Sequence, residues 1–336
     1  MFQVFGKRCL MVKRRFDESD ARIRPARSTR PRSKDRPDYS AATSALVIGV
    51  ERGRYQCVLD NGTEISAMKS RELGKNAIVV GDKVGVVGDL SGADGSLARI
   101  VSVLERKNSL TRTIDDAGAF EKTIAANVDQ MVIVSSVANP EPRIGFVDRC
   151  LAVAFDQGIA PIIVMTKADL GSSTEFLNNY AALNVKVFTV RRDQDPNELR
   201  STLLEKVSVF IGHSGVGKST LVNLLLGNES RRTGQVNEVT GRGRHTSSSA
   251  VAMQISKHGW IIDTPGIRSF GLEHVDSNRI IASFAELSEV ISRCPKNCSH
   301  YEAACELNGY LSENPDYKER ISSLRRLLSF KNQPIA

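Results

Sequence analysis

The sequence predicts a multidomain chain: a small β-barrel of OB type near the N-terminus, an α/β domain with a parallel sheet in the middle and a metal-stapled helical domain at the C-terminus. Three observations predict it. Short alternating strands with Gly-rich turns fill residues 41–105, and short apolar runs alternate with helical patterns over 106–272. Cys294, Cys298, His300 and Cys305 then fall within one twelve-residue stretch. The length agrees, since 336 residues exceed one ordinary domain and suit two or three.

Composition excludes several classes. At 41% hydrophobic and 25% charged, the chain is neither wholly disordered nor collagen-like. No run approaches the roughly 18 apolar residues of a transmembrane helix, so no membrane partner is expected. Met1–Met11 holds Gln3, Lys7 and Arg8 and lacks an apolar core and cleavage site, so no secretory signal is expected and the cytoplasm is the expected location. Met11 precedes the basic run and is a candidate start. The net charge of +8 is uneven: residues 1–37 hold twelve Lys/Arg and four acids, which is the whole excess. Residues 1–40, rich in Arg, Pro and Ser, are expected to stay disordered until they meet a partner. A basic arm on a neutral body suits nucleic acid; a solvated tail is the plainer alternative.

In the barrel the clearest element is a hairpin around Asn61-Gly62, a two-residue turn in which both positions accept positive φ. Tyr55, Cys57 and Leu59 alternate on one side of it, Ile65 and Ala67 on the other. Further strands fit Leu46–Val50, Lys83–Val87 and Leu97–Leu104. In the α/β domain, Met131–Val134, Pro161–Met165, Val185–Val190 and Val207–Ile211 read as buried parallel strands. Helices are expected at Phe146–Phe155, Thr174–Leu183, Asn197–Lys206 and Thr220–Leu226. Ile321, Leu324, Leu327 and Leu328 repeat at helix spacing in the last domain. Cys57 and Cys150 read as small core residues.

The chemistry is concentrated in a few runs. Gly212-His213-Ser214-Gly215-Val216-Gly217-Lys218-Ser219, followed by Thr220, matches G-x-x-x-x-G-K-[ST] between a strand and a helix. Its glycines let backbone N–H groups curl round phosphates, and the helix N-terminus adds positive potential. Lys218 can bridge the β- and γ-phosphates, and the Ser219 hydroxyl can ligate Mg²⁺. Asp263-Thr264-Pro265-Gly266 follows the apolar strand Trp260–Ile262, so Asp263 is placed to hold Mg²⁺ and Gly266 to swing its backbone toward the γ-phosphate.

Thr166-Lys167-Ala168-Asp169 ends a parallel strand, where such sheets bind ligands. The pattern [NT]KxD reads guanine, because its carboxylate takes both the N1–H and the 2-amino group; this selects GTP over ATP. Thr166 stands where Asn is common, so the side-chain amide contact to the base or the P-loop is expected to be lost. In Gly241-Arg242-Gly243-Arg244-His245-Thr246-Ser247, Thr246 is the candidate switch residue closing on Mg²⁺ and the γ-phosphate, with Ser247 as alternative; a basic RNA-binding loop is the other reading. The guanine motif precedes the P-loop, reversing the usual order, so the GTPase domain is circularly permuted. Ile267 occupies the place of a water-positioning Gln, so intrinsic hydrolysis is expected to be slow and a partner or another residue to supply the missing group. His245 is the nearest candidate. The segment Ile267–Gly271 is expected to pass the nucleotide state to residues 273–336.

Taken together, TKAD, GHSGVGKST, GRGRHTSSS, DTPGIRSFGL and the Cys/Cys/His/Cys cluster resemble the RsgA (YjeQ) family of permuted GTPases over residues 41–336. The resemblance implies an OB barrel, a GTPase core and a zinc domain. It also implies rRNA binding and ribosome-stimulated GTP hydrolysis during late maturation of the small (30S) ribosomal subunit. Gly212–Thr220 and Thr166–Asp169 would contact GTP, and Cys294, Cys298, His300 and Cys305 would hold one zinc. The spacing C-x3-C-x-H-x4-C is tighter than the family's C-x4-C-x-H-x5-C, yet four ligands this close can reach one ion. Reduced core cysteines beside a surface histidine are the plainer alternative. The expected boundaries are 1–40 for the arm, 41–105 for the barrel, 106–272 for the GTPase domain and 273–336 for the zinc domain. A monomer with no DNA partner is expected. The competing readings are a P-loop ATPase or kinase and a nucleotide-stabilised RNA chaperone with little catalytic role.

Overall fold

The computed structural model describes residues 39–51, 53–74, 78–113, 121–227, 250–264 and 275–329. The basic arm to residue 38 lies outside them. Five strands open the described chain: β1 (Thr43–Glu51), β2 (Arg54–Leu59), β3 (Glu64–Lys69), β4 (Lys83–Gly88) and β5 (Ala98–Val103). They follow the order β1-β2-β3-β5-β4, and β4 pairs back onto β1, which closes the barrel. All pairs are antiparallel except β3 with β5. Closure removes the sheet edges that a five-stranded meander would leave unpaired. Tyr55, Cys57, Leu59, Ile65 and Ala67 all point into the core, as their alternation requires. The turn differs from expectation. β2 and β3 are joined through four residues, positive φ falls on Gly62 and not on Asn61, and Asn61 Oδ1 instead accepts from the Thr63 N–H at 2.9 Å.

Beyond the barrel, β6 (Ser109–Thr113) and β7 (Glu121–Ala126) form an antiparallel ribbon that periodicity did not reveal. Gly81 fixes how closely the barrel meets it. Its φ is +90°, and a Cβ there would stand 2.0 Å from the Ala126 carbonyl oxygen. Asp82, fully buried, takes a two-pronged ion pair from Arg106, Nε to Oδ1 at 2.7 Å and Nη2 to Oδ2 at 2.8 Å.

The central sheet contains β8 (Gln130–Ser136), β9 (Ala160–Thr166), β10 (Lys186–Thr189), β11 (Val207–Ile211), β12 (Val251–Gln254) and β13 (Trp260–Asp263). In space the order is β10-β9-β8-β11-β13-β12, parallel except for β12. β12 meets barrel strand β1 at Gly49 and Val251. The apolar runs do not alternate with polar residues because helices cover both faces. Met131, Ile133, Ile163, Met165, Val209 and Ile211 face α1 (Ile144–Asp156). Val132, Val134, Ile162, Val164 and Phe210 face α3 (Asn197–Leu203) and α4 (Lys218–Leu226). The helix following β8 and the helix following β11 thus lie on opposite faces. The crevice between those two adjacent strands is a topological switch point, where open α/β sheets bind ligands.

The helix expected over Thr174–Leu183 is broken. α2 spans only Thr174–Asn178, and a 3-10 turn follows at Ala181–Leu183. The reason is Tyr180, whose ring is fully buried against the C-terminal region. That region holds α5 (Ser277–Ala282), α6 (Ala285–Ser292), α7 (Glu306–Glu313) and α8 (Lys318–Ser329). Ile321, Leu324 and Leu327 of α8 are buried, in the same apolar cluster as α1. Among the described residues no helix is long and apolar enough to cross a membrane.

Candidate functional site

The loop Gly212–Gly217 leaves β11 at the switch point and runs into α4. Gly212 is held where no side chain fits, since a Cβ would stand 2.7 Å from the Val134 carbonyl oxygen and 3.0 Å from Val216 Cγ2. Gly215 and Gly217 take φ of +84° and +86°, the left-handed turns that curl the loop. Val216 is buried as an anchor, while Ser214, Ser219 and Thr220 are exposed. Gly217 caps α4, so Lys218 and Ser219 begin the helix at the end that favours anions. Lys218 is mostly buried and forms an ion pair with Asp263 at the end of β13. Asp263 and Ser219 are hard oxygen donors at one end of the sheet, the chemistry Mg²⁺ requires. Thr264 is fixed beside them, its hydroxyl donating to the Phe210 carbonyl at 2.8 Å.

Thr166 ends β9 with its side chain buried. Its hydroxyl bonds the Val216 carbonyl of the P-loop and lies 3.1 Å from the Ser135 carbonyl. The expected loss of contact to the P-loop is therefore corrected: a hydroxyl makes the contact that an amide would otherwise make. Lys167 turns the chain through φ of +56°, and its ammonium donates to the Asn139 carbonyl in the loop that follows β8. Ala168 follows, and Asp169 is exposed at the strand end, free to meet a base. His213 points away from this crevice toward α1, its ring 4.0 Å from that of Phe146. Burial, then the Arg143 charge, hold its pKa below the usual histidine value. His245, Thr246, Gly266 and the segment Ile267–Gly271 lie outside the described residues.

The metal-type residues converge. The ligand atoms of Cys294, Cys298, His300 and Cys305 all lie within 4.8 Å of one another. Cys305 Sγ is 3.8 Å from Cys294 Sγ and 3.8 Å from His300 Nδ1. A tetrahedral ion with bonds of about 2.3 Å to sulfur needs edges of about 3.8 Å, so the set fits one metal. Left-handed residues Asn297 and His300, with φ of +63° and +67°, wrap the short spacing round this centre. Burial holds His300 below its usual pKa, which favours the neutral, ligating ring.

One cluster carried no sequence signal. Arg326 Nε of α8 lies 2.8 Å from Oδ2 of Asp148, a fully buried carboxylate on α1. The alignment is poor, and among the described residues no hydrogen bond of good geometry reaches either carboxylate oxygen. Burial pushes the Asp148 pKa up to about 6, against the pull of Arg326. Arg326 also donates to the Asn179 carbonyl at 2.8 Å and stacks on Tyr180. Arg325, next along α8, donates to the His300 carbonyl at 2.7 Å. One helix thus grips both the metal knuckle and α1.

A P-loop, a guanine-type strand end and an acidic strand end meeting at one switch point, in permuted order, define a circularly permuted P-loop GTPase. Residues 103–273 match the RsgA GTPase family. A relative in Pseudomonas aeruginosa (strain LESB58), described as small ribosomal subunit biogenesis GTPase RsgA, is 36% identical over 75% of this chain and 76% of its own length. A relative of the same description in Chlorobaculum parvum is 35% identical over 77% of this chain and 87% of its own. The fold is similar to the crystal structure of YjeQ from Thermotoga maritima (TM-score 0.65, 23% identity, 86% of this chain and 98% of that one). It is also similar to that of YloQ, a circularly permuted GTPase (TM-score 0.63, 21% identity, 90% of this chain and 100% of that one). The chain belongs to the RsgA GTPase family and is a GTP-hydrolysing enzyme.

Proposed function

We propose that this chain binds rRNA of the small ribosomal subunit and hydrolyses GTP in response, assisting late maturation of that particle. The observation that carries the reading is the junction of Lys218, Asp263 and Thr166 around one P-loop, in a chain whose relatives are described as small ribosomal subunit biogenesis GTPases. Gly212–Thr220 hold the phosphates, with Lys218 exchanging its Asp263 partner for phosphate oxygens. Thr166–Asp169 form the guanine end, with Asp169 reading the base. Ser219 and Asp263 would hold Mg²⁺, which when bound neutralises charge between the β- and γ-phosphates. Thr246 closes as the switch, Gly266 offers its backbone to the γ-phosphate, and His245 assists the attacking water. Ile267 cannot orient that water, which makes the ribosomal particle the expected activator. Cys294, Cys298, His300 and Cys305 would hold one zinc, whose chemistry is to fix the fold of the knuckle. The barrel (41–105), the zinc domain (273–336) and the basic arm (1–40) are the segments that would contact rRNA, beside the GTPase domain (106–272). The protein acts as a cytoplasmic monomer.

The test is phosphate release from GTP and from ATP, with and without purified small subunits. Slow GTP turnover that rises strongly with subunits, with ATP inert, is expected. GTP turnover indifferent to subunits would overturn the ribosomal part of the proposal.

A further inference from the structure

The first residue of the guanine motif is shut inside the protein. The Thr166 hydroxyl lies between the Val216 carbonyl of the P-loop and the Ser135 carbonyl of β8, and the side chain is buried. Gly217 lies beside it, where an added Cβ would stand 3.5 Å from Thr166 Oγ1. A hydroxyl carries one proton, and both neighbours are acceptors, so the donor is fully committed to main chain. An asparagine amide has two N–H groups and could bond loop and base together; threonine cannot. The base therefore meets a motif in which the Lys167 ammonium is engaged with the Asn139 carbonyl and the exposed charged group is the Asp169 carboxylate.

We propose that Thr166 is a positioning residue that ties the P-loop to β8 and β9, and that guanine is read at its N1–H and 2-amino edge by Asp169 with its N7 edge unread. This rests on the assignment of Thr166–Asp169 as the guanine site. Two consequences follow. Replacing the N7 acceptor by C–H leaves binding unchanged, because no protein donor is left without its acceptor. Removing the Thr166 hydroxyl weakens every nucleotide equally, because the P-loop loses a tether while the base loses nothing.

The test uses the full-length protein and compares GTP with 7-deaza-GTP, a probe of the same shape that lacks only the N7 acceptor. Wild-type affinities should agree within about twofold, whereas one neutral hydrogen bond to the base would separate them by about two- to tenfold. Thr166→Val, which keeps the volume, should lower affinity for both nucleotides by about two- to tenfold with their ratio unchanged. Thr166→Asn should create a preference for GTP over 7-deaza-GTP. A clear wild-type preference for GTP over 7-deaza-GTP would overturn the proposal, as would a Thr166→Val variant that binds as wild type. Asp169→Asn separates the two levels of inference: retention of GTP selectivity by that variant would remove the guanine assignment itself, whatever 7-deaza-GTP does.

Discussion

Asp148 offers a quantitative test of how the C-terminal helix is held. The groups facing its carboxyl are Arg326 from α8, Tyr180 from the segment after α2, and Cys150 on its own helix. Burial pushes the pKa values of both Tyr180 and Cys150 up, so each is neutral through the physiological range and Arg326 is the charge that matters. Burial outweighs that charge and lifts Asp148 from 3.8 to about 6. The folded state thus holds the Asp148 proton more tightly than the unfolded chain does. The stability this provides is complete below pH 3.8 and is lost as pH rises through about 6. At about 1.36 kcal/mol per pKa unit the whole effect is about 3 kcal/mol, of which about 2 kcal/mol falls between about pH 4.5 and 7.5.

The perturbation is Asp148→Asn, which keeps the shape and removes the titration. Trp260 is the chain's single tryptophan and is buried on β13 in the same apolar cluster as α1, so its emission reports guanidinium unfolding of that core. The stability of the variant relative to wild type should rise by about 2 kcal/mol from about pH 4.5 to 7.5. Both proteins share every other titrating group, so the difference isolates Asp148. A difference flat to within about 0.5 kcal/mol over that range would refute the reasoning. It would mean that Asp148 is ionised throughout and that the Arg326 pair outweighs desolvation.

Three further outcomes are expected. Lys218→Ala should weaken binding of a fluorescent GTP analogue by roughly 10- to 100-fold, the value of a charge-assisted contact of about 1.5–3 kcal/mol; unchanged affinity would remove Lys218 from the phosphate site. Gly212→Ala should abolish nucleotide binding while leaving the bound metal in place, because the added Cβ meets the Val134 carbonyl oxygen at 2.7 Å; metal analysis and nucleotide titration on one sample check both halves. Cys305→Ser should lower bound metal from one ion per chain toward zero and reduce hydrogen-exchange protection in α7 and α8, since the two 3.8 Å edges of the cluster both end on Cys305; a full complement of metal in that variant would refute the ligand assignment.

The legible parts of this molecule are those whose chemistry demands particular residues at short range. The loop proposed to hold phosphate needs glycine at 212, 215 and 217, because Gly215 and Gly217 take positive φ and Gly212 sits against the Val134 carbonyl. The candidate metal centre was legible because four soft or imidazole donors sit within twelve residues. The parallel strands were legible because burial on both faces leaves continuous apolar runs. What escaped depends on distant partners. The break after Asn178 follows from Tyr180 packing under Arg326, a residue in another part of the chain. The β6–β7 ribbon contains Arg112 paired with Lys122 in register, a combination that resembles no buried strand. Thr166 looked like a loss because sequence shows the missing amide and not the carbonyl that its hydroxyl meets.

The permuted order gives α8 its mechanical place. The GTPase sheet begins its chain path at β8 and ends it at β13, and the C-terminal helices α5 and α8 pack on the face carrying α1. There α8 presents three grips. Arg320 donates to the Ala182 carbonyl at 2.6 Å, Arg325 to the His300 carbonyl at 2.7 Å and Arg326 to the Asn179 carbonyl at 2.8 Å. Carbonyl acceptors do not titrate, so these grips are constant across pH, while the Asp148 contact beside them weakens the fold as it ionises. At its N-terminal end the same α1 holds Phe146 against His213 of the P-loop. A change in how α8 sits on Asp148 therefore has a packed route to the phosphate loop, through a single helix and without passing through Ile267–Gly271. The Asp148→Asn variant tests that route too: if α1 carries strain from α8, its nucleotide affinity shifts along with its stability, and if affinity stays fixed while stability moves, α1 is a rigid strut between two independent ends.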